Sequence, residues 1–396
     1  MKIIHLNTWD YGGAAEAAKR IFRSQKVLKK DVKFLSLYPK KNQKIPGINY
    51  YSDYLNKRYF NGSKIILLLN RIMNQFRVGL SKKIFFNSPK TLFRVENINL
   101  VQDADVIHLH SVVKFLNIPT FFNSIEKPII WTLHDMNPFS GGKHYECDFD
   151  STFSKKEDAF KLIKKSAYFN KKNIYIVCPS KWMYDLSKNS ELLGSFKHFL
   201  IPNGIDTSRF YFKNTKKSTD TLNLLFVAES LMDERKGFHL FQRALSMVNI
   251  PITLTIIGNT NENFHFPKNV STRYLGYIKE AATMVEQYNQ ADYFVMPSIE
   301  DNLPNTIVES LCCGTPVIAF NCTGMANMID DKVNGLLINE ISAENLAQGI
   351  LLSNLLKLSN SFNSGNISNA AKKEYDLQKC EEAYQQVYNQ AISASI

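Results

Sequence analysis

The sequence predicts an α/β protein made of two doubly wound parallel sheets, and three observations carry that expectation. The chain has 396 residues, more than one ordinary core of about 150–200 residues accommodates. Short, near-continuously apolar runs alternate with helical stretches, the pattern of strands covered on both faces by crossover helices. The alternation then restarts after a Pro-Asn-Gly turn, which implies two βαβ series facing each other across a cleft.

Taken in order, the first series reads as strands at "KIIHLN", "VKFLSLY", "DVIHLH", "PIIWTLHD" and "IYIVCPS". The turn lies in "FLIPNGID", and "KNTKKSTD" (213–220) follows as a polar linker. The second series is "LNLLFVAE", "ITLTIIGN", "STRYLGY", "DYFVMPS" and "TPVIAF", with helices such as "GFHLFQRALSMV" between. We expect an N-terminal domain at 1–205, a C-terminal domain at 206–368, and a terminal helix at 369–396 that packs back on the N-terminal domain. Helical spacing of Tyr375, Tyr384, Val387 and Tyr388 supports that last element.

Composition bounds the function class. A hydrophobic share of 44% with 21% charged residues is that of a folded globular protein. The six cysteines, at 147, 178, 312, 313, 322 and 380, form no CxxC pair, as expected of thiols in a reducing compartment. The N-terminal run "MKIIHLNTWDYGG" turns polar at once and reads as a strand, not a signal peptide. No run approaches the roughly 18 apolar residues of a membrane span. From these readings we expect a cytoplasmic location.

The formal charge of +12 is unevenly placed. Between Tyr54 and Val95 there are nine basic residues (57, 58, 64, 71, 77, 82, 83, 90, 94) and no acidic one. Aromatic residues Tyr54, Tyr59, Phe60, Phe76, Phe85, Phe86 and Phe93 and the run "KIILLLNRIM" are interleaved with them. That composition suits an interfacial segment on an anionic membrane surface. Nucleic acid and a plain solvated surface are the rival readings, of which we expect no nucleic-acid partner.

The stretch "SIEDNLPNTIVESLCCGTPVIAF" (298–320) holds the candidate chemistry. Pro304 suits a first helical turn, and Gly314 and Pro316 stop the helix. Asp301 then sits in the loop at a strand's carboxyl end, where ligands bind in open α/β sheets. Glu309 lies five residues past Pro304, about 7.5 Å along the helix axis. Its helical neighbours are Asn305, Thr306, Cys312 and Cys313, small or polar groups that permit close approach. A carboxylate here accepts hydrogen bonds from ligand hydroxyls, makes a buried ion pair, or caps another segment.

Read together, these motifs resemble the retaining family-4 glycosyltransferases of GT-B fold. "PSIEDNLPNTIVESLCCGTPVIAF" is similar to their acid-x7-Glu signature. "GGAAEAAKRI" (12–21), "TLHD" (132–135), "VCPS", "IPNGID" and "DERKGF" (233–238) resemble further family motifs in family order. The resemblance covers about residues 1–350, and the variants "GGAA", "TLHDMNPFSGG" and "EDNLPNT" are most similar to the exopolysaccharide branch with its colanic-acid enzymes.

The resemblance implies a role for each residue. Lys236 and Arg235 would stabilise the diphosphate whose charge grows as the glycosidic bond breaks. Family members usually carry that arginine in a Gly-Arg-Leu, but here the strand runs "FVAES" with Glu229 in place, so Arg235 is expected to take over. Glu309 would bind the nucleotide ribose. Asp301 fills the first acidic position, usually Glu, and meets hydroxyls of the transferred sugar, with Glu300 beside it. Backbone N–H groups around Asn302, Leu303 and Asn305 would assist. His134 would contact the donor sugar, with Asp135 orienting its ring. Gly12 and Gly13 would approach the donor phosphate or the acceptor.

We expect no cofactor beyond the nucleotide-sugar co-substrate, and no metal. The "DAD" (103–105) and "DFD" (148–150) triplets lack the context of a metal-binding Asp-x-Asp. His144 and Cys147 stand near each other, but Lys143 occupies a position where a cysteine is common in the branch. His108 and His110 are expected on opposite faces of their strand and so not as a shared ligand set. The implied partners are a nucleotide-sugar donor, UDP- or GDP-linked, and a glycan or lipid-linked glycan acceptor. The implied location is peripheral, on the inner face of the cell membrane. Two other classes fit the same fold: a nucleotide-sugar epimerase, which would need no acceptor, and a non-catalytic membrane-associated scaffold.

Overall fold

The computed structural model describes residues 1–40, 43–58, 62–79, 86–148, 150–214 and 220–394. They form two compact units, Met1–Pro202 with Gln378–Ile396, and Asn203–Leu377. Lys82, Lys83, Tyr59, Phe60, Phe85 and Phe149 fall outside the described residues, as does most of the 213–220 linker.

The first unit is a seven-stranded sheet. Its strands are β1 (Lys2–Trp9), β2 (Asp31–Tyr38), β3 (Asn49–Tyr50), β4 (Val106–Leu109), β5 (Ile129–Thr132), β6 (Ile174–Cys178) and β7 (Lys197–Leu200). The order is β3-β2-β1-β4-β5-β6-β7, and every pairing is parallel. The second unit has β8 (Leu222–Ser230), β9 (Ile252–Asn259), β10 (Val270–Tyr274), β11 (Tyr293–Met296), β12 (Val317–Phe320) and β13 (Gly335–Ile338). Its order, β10-β9-β8-β11-β12-β13, repeats the same winding. Each sheet therefore reverses its strand order once, between β1 and β4 and between β8 and β11. Ligands of open α/β sheets bind outside the carboxyl ends of the strands at such a point.

The apolar runs explain the layering. Successive side chains of a strand point to opposite faces, so Leu225 and Ile257 enter one core while Leu222, Leu224, Phe226 and Ile256 enter another. Helices cover both faces, which is why the strands read as continuously apolar and not as alternating.

The tail differs from expectation. It is not one element: a helix at Ser364–Glu374 packs in the second unit through Ile367 and Ala371, whereas Leu377–Ser393 packs in the first through Cys380, Tyr384, Val387, Tyr388 and Ala391. Ile205 makes the break. Its N–H donates to Tyr375 O (2.8 Å) and its carbonyl accepts from Leu377 N–H (3.1 Å), which takes both backbone groups out of any continuous helix. The unit boundary accordingly falls after Pro202 rather than after 205. β3, β7 and β13 are additional strands, too short or too polar in sequence to stand out.

Candidate active site

The second unit assembles most of the expected residues at its strand-order reversal. The turn after β8 carries Asp233, Arg235 and Lys236, and the loop after β11 carries Glu300 and Asp301. Gly237 makes their approach possible. Its φ is +68°, and a Cβ there would stand 1.8 Å from Pro297 O, so only glycine lets the turn lie against the β11 loop. The Ile299 N–H then donates to Arg235 O at 2.9 Å, which ties the two loops together.

Asp301 is the hub. Its Oδ2 accepts from Lys236 Nζ at 2.5 Å and from Arg235 Nη1 at 3.3 Å, and its Oδ1 accepts from the Asn302 N–H at 3.0 Å. Arg235 Nη1 also donates to Glu300 O at 2.8 Å, while Asp233 receives the Arg235 backbone N–H (3.1 Å) and Nη2 (3.4 Å). Burial by itself would push the Asp301 carboxyl up; the Lys236 and Arg235 charges and the two hydrogen bonds outweigh it and hold it below the usual carboxylate range. Lys236 and Arg235 thus share one side of the site, and Glu300, itself buried, presents its carbonyl to the arginine.

Two residues that sequence reasoning passed over complete this loop. Thr323 Oγ1 accepts from the Asp301 N–H (3.2 Å), and the Gly324 N–H donates to Asp301 O (3.0 Å). A Cβ on Gly324 would lie 1.4 Å from Asn302 O, so this contact also requires glycine. The available signal was a Thr-Gly pair two residues beyond the run "TPVIAF", again past a strand's carboxyl end.

The helix after this loop spans Asn305–Cys312, with Pro304 as its N-cap rather than inside its first turn. Glu309 is half-buried, and its Oε2 accepts from Tyr288 OH at 3.2 Å. A tyrosine hydroxyl is thus one partner of this carboxylate. Asn305 Oδ1 accepts from Asn203 Nδ2 at 3.4 Å, while Leu303 turns into the core of the unit.

The first unit carries the remaining candidates. Gly12, with φ +85°, caps the helix Gly13–Val27 directly after β1. His134 follows β5 within a loop that is anchored along its length. Asp135 Oδ2 and His144 Nδ1 stand 2.7 Å apart, and His144 Nε2 meets Asn87 Nδ2 at 2.7 Å. Glu157 accepts from the Gly141 and Gly142 N–H groups at 2.6 and 2.7 Å. Buried Lys164 donates to Asn137 O and, at 3.0 Å, to Ser140 O. Burial pulls the Lys164 ammonium down to about 7 against the opposing charges of Glu157 and Asp135. Neither Glu157 nor Lys164 stood out in the sequence, since a helix "SKKEDAFKLIKKSAY" reads as a solvated surface.

Asp135 does not orient His134 as expected, because its carboxylate is committed to His144. His134 Nε2 instead faces His110 Nδ1 at 3.2 Å. His108 and His110 also correct an expectation: residues two apart share one strand face, and their rings stack with centroids 4.1 Å apart. With His5 from β1 they bring three imidazoles together, whose nearest nitrogens lie within 4.8 Å of one another. His5 is hydrogen-bonded to His110 and Gln25, and His108 to Tyr388 and Thr132, so a cation would have to displace existing bonds. Burial lowers His5 and His134 to about 4, and holds His108 and His110 well below their usual value.

Comparison with known proteins points the same way. Residues 221–353 match the family described as Glycosyl transferases group 1. One curated relative is the N,N'-diacetylbacillosaminyl-diphospho-undecaprenol alpha-1,3-N-acetylgalactosaminyltransferase of Campylobacter jejuni, 25% identical over 207 residues, 48% of this chain and 53% of the relative. The chain spans about half the length of this relative and less of the next two, 18% and 39%. Among solved structures, sucrose-phosphate synthase from Thermosynechococcus elongatus superposes with a TM-score of 0.72 at 16% identity, covering 99% of both chains. Anabaena Alr3699/HepE in complex with UDP-glucose superposes at 0.67 with 14% identity, over 98% of this chain and all of that one. Residues 221–353 are therefore similar to the group 1 glycosyl transferases, and the chain as a whole has the GT-B fold.

Proposed function

We propose that this chain is a retaining glycosyltransferase that moves a sugar from a UDP- or GDP-linked donor to a hydroxyl of a growing, lipid-linked cell-surface polysaccharide or lipopolysaccharide. The observation that carries the reading is the convergence of Arg235 and Lys236 on Asp301 at the strand-order reversal of a group 1 domain. A diphosphate arriving there meets two cations that are already positioned, and fixed charges stabilise the negative charge that develops on the leaving group. Asp301 and Glu300 are the acids for the sugar hydroxyls, and Glu309 accepts the ribose hydroxyls. His134 contacts the transferred sugar. Retention follows if the sugar accepts its new bond on the face the nucleotide leaves, with the departing phosphate taking the acceptor's proton. The two cations supply the charge that a divalent metal supplies elsewhere, so we read the reaction as metal-independent.

The test is direct. UDP or GDP, and the corresponding sugars, should raise the melting temperature, since a ligand bound only by the folded state stabilises it. Incubation with donor and a polyprenyl-diphosphate-linked glycan should then give a product of unchanged anomeric configuration, with activity retained in EDTA. An inverted product would overturn retention, and epimerised donor formed without any acceptor would favour the epimerase reading.

The helix Gly62–Val78 supports a peripheral site of action. Ile65, Leu68, Leu69, Ile72 and Phe76 recur on one face and are exposed, Phe76 at 85%. The opposite face is held by polar groups: Asn70 Oδ1 accepts from the Leu92 N–H (2.9 Å), and Asn74 Oδ1 from the Ser88 N–H (3.3 Å). An apolar stripe turned outward, bordered by exposed Lys64 and Arg71 and no acid, matches an anionic lipid surface. Among the described residues no helix is long and apolar enough to cross a membrane. The double variant Ile65→Ser with Phe76→Ser should lose most co-sedimentation with phosphatidylglycerol vesicles at low salt while keeping its melting temperature. Undiminished sedimentation would sink the membrane reading.

A further inference from the structure

We propose that Gln25, a buried amide on the helix Gly13–Val27, sets which ring nitrogen of His134 carries the proton. The inference deepens the reading of His134 as a sugar-contacting residue and rests on it for its functional meaning. Gln25 acts through the rings and not on substrate, and so is a positioning residue.

An unbroken chain of hydrogen bonds connects the two. Gln25 Oε1 meets His5 Nε2 at 2.8 Å, His5 Nδ1 meets His110 Nε2 at 3.0 Å, and His110 Nδ1 meets His134 Nε2 at 3.2 Å. From its other end, Gln25 Nε2 donates to Tyr388 OH at 3.2 Å. Tyr388 OH lies 2.7 Å from His108 Nδ1, and His108 Nε2 lies 2.8 Å from Thr132 Oγ1. Thr132 Oγ1 lies 3.0 Å from Tyr384 OH. Gln25, His5, His108, His110 and Thr132 are all at most 1% exposed, so water does not compete for these bonds.

A neutral imidazole has one N–H and one lone pair, so in such a chain each ring dictates the next. The amide has a fixed acceptor end and a fixed donor end. With Oε1 on His5, that ring must donate from Nε2, and its Nδ1 must accept. His110 then donates from Nε2 and accepts at Nδ1, which obliges His134 to donate from Nε2 and leaves its Nδ1 as the acceptor. The branch closes in the same sense: the amide donates to Tyr388, Tyr388 to His108 Nδ1, and His108 Nε2 to Thr132. One proton serves each bond and no donor faces a donor. Turning the Gln25 amide over would reverse every bond and present His134 as a donor at Nδ1. With the other rings unchanged, protonating His5 or His110 would set its Nδ1–H against the next ring's Nε2–H, and burial lowers the basicity of both rings as well.

The same chain draws in the terminal helix Leu377–Ser393. Tyr388 holds the donor end of the amide, and Tyr384 closes the far branch on Thr132. That helix therefore contributes polar order as well as apolar burial to the first unit.

The full chain with nitrogen-15-labelled histidine tests this by the imidazole shifts at pH 7, with His134 identified from a His134→Gln sample. The expected result is a single Nε2–H form of His134 in the unchanged protein. Gln25→Met, which keeps the bulk and removes both polar ends, should shift His134 toward the average of the two forms. Tyr388→Phe, which removes only the hydroxyl that holds the amide, should shift it in the same direction and serves if Gln25→Met does not fold. An Nδ1–H form in the unchanged protein, or an unmoved Nε2–H form in either folded variant, would overturn the proposal. The readout needs no turnover, so a chain without transferase activity leaves this test intact.

Discussion

Asp301→Asn should bind a nucleoside diphosphate at least as tightly as the unchanged protein while transferring sugar about a hundredfold more slowly. The two effects separate because the carboxylate does opposite things to them. It sits 2.5 Å from Lys236 Nζ and 3.3 Å from Arg235 Nη1, so an incoming diphosphate competes with it for both cations. Removing its charge raises the local positive potential and favours the anion. In our reading the same carboxylate also receives the transferred sugar's hydroxyls, and an amide of equal size accepts more weakly than a charged oxygen. Calorimetric titration with UDP and GDP, beside initial rates, reads both quantities. Parallel loss of binding and turnover would mean that Asp301 only holds the loop. Lys236→Met provides the contrast: it should weaken nucleotide binding and slow transfer together.

Acid should destabilise the first unit well above the pH at which carboxylates titrate. His5 and His134 have folded values of about 4, against roughly 6.5 for an unfolded chain. Between those values the unfolded state binds protons that the folded state refuses, so stability falls as pH drops from about 6.5 toward 4 and is fully present above it. Each ring contributes about 3 kcal/mol across that window, and His108 and His110 act in the same direction. Two such rings already amount to much of the roughly 5–15 kcal/mol that holds an ordinary domain folded. Asp135 and Asp301 are held low instead; their stabilisation is present above about 3.9 and is lost at still lower pH. Urea unfolding at pH 7, 6, 5 and 4.5 measures the slope. A flat stability between pH 7 and 5 would contradict the burial of neutral imidazoles.

The legible part of the site was the part encoded in short range. Gly-bearing turns and acids at the ends of apolar runs mark strand ends, so Arg235, Lys236, Glu300, Asp301 and His134 were all placed after strands from pattern alone. Their partners were not. Thr323 and Gly324 reach Asp301 from the far side of β12, Tyr288 reaches Glu309 from another helix, and Glu157 and Lys164 reach the His134 loop from a helix that reads as surface. Each is a pairing across the fold, and nothing at fixed spacing announces it. The histidine strands were misread for a simpler reason. His108 and His110 share a face because side chains alternate along a strand, and their meeting with His5 needed the β1–β4 register that pairs His5 with His108.

By itself, the sequence determined two parallel-sheet units, the strand ends that carry the candidate chemistry, and a basic, acid-free window. These follow from local periodicity, glycine and proline conformation, and charge. The tertiary structure alone decided that Asp301 gathers both cations, that the tail divides at Tyr375–Leu377 between the units, and that His5 and His110 join His134 to Gln25, whose other end meets Tyr388. Those outcomes depend on which distant groups satisfy a buried donor, acceptor or charge. That choice is made when the strands find their order, since a buried polar group must find a partner wherever the fold provides one.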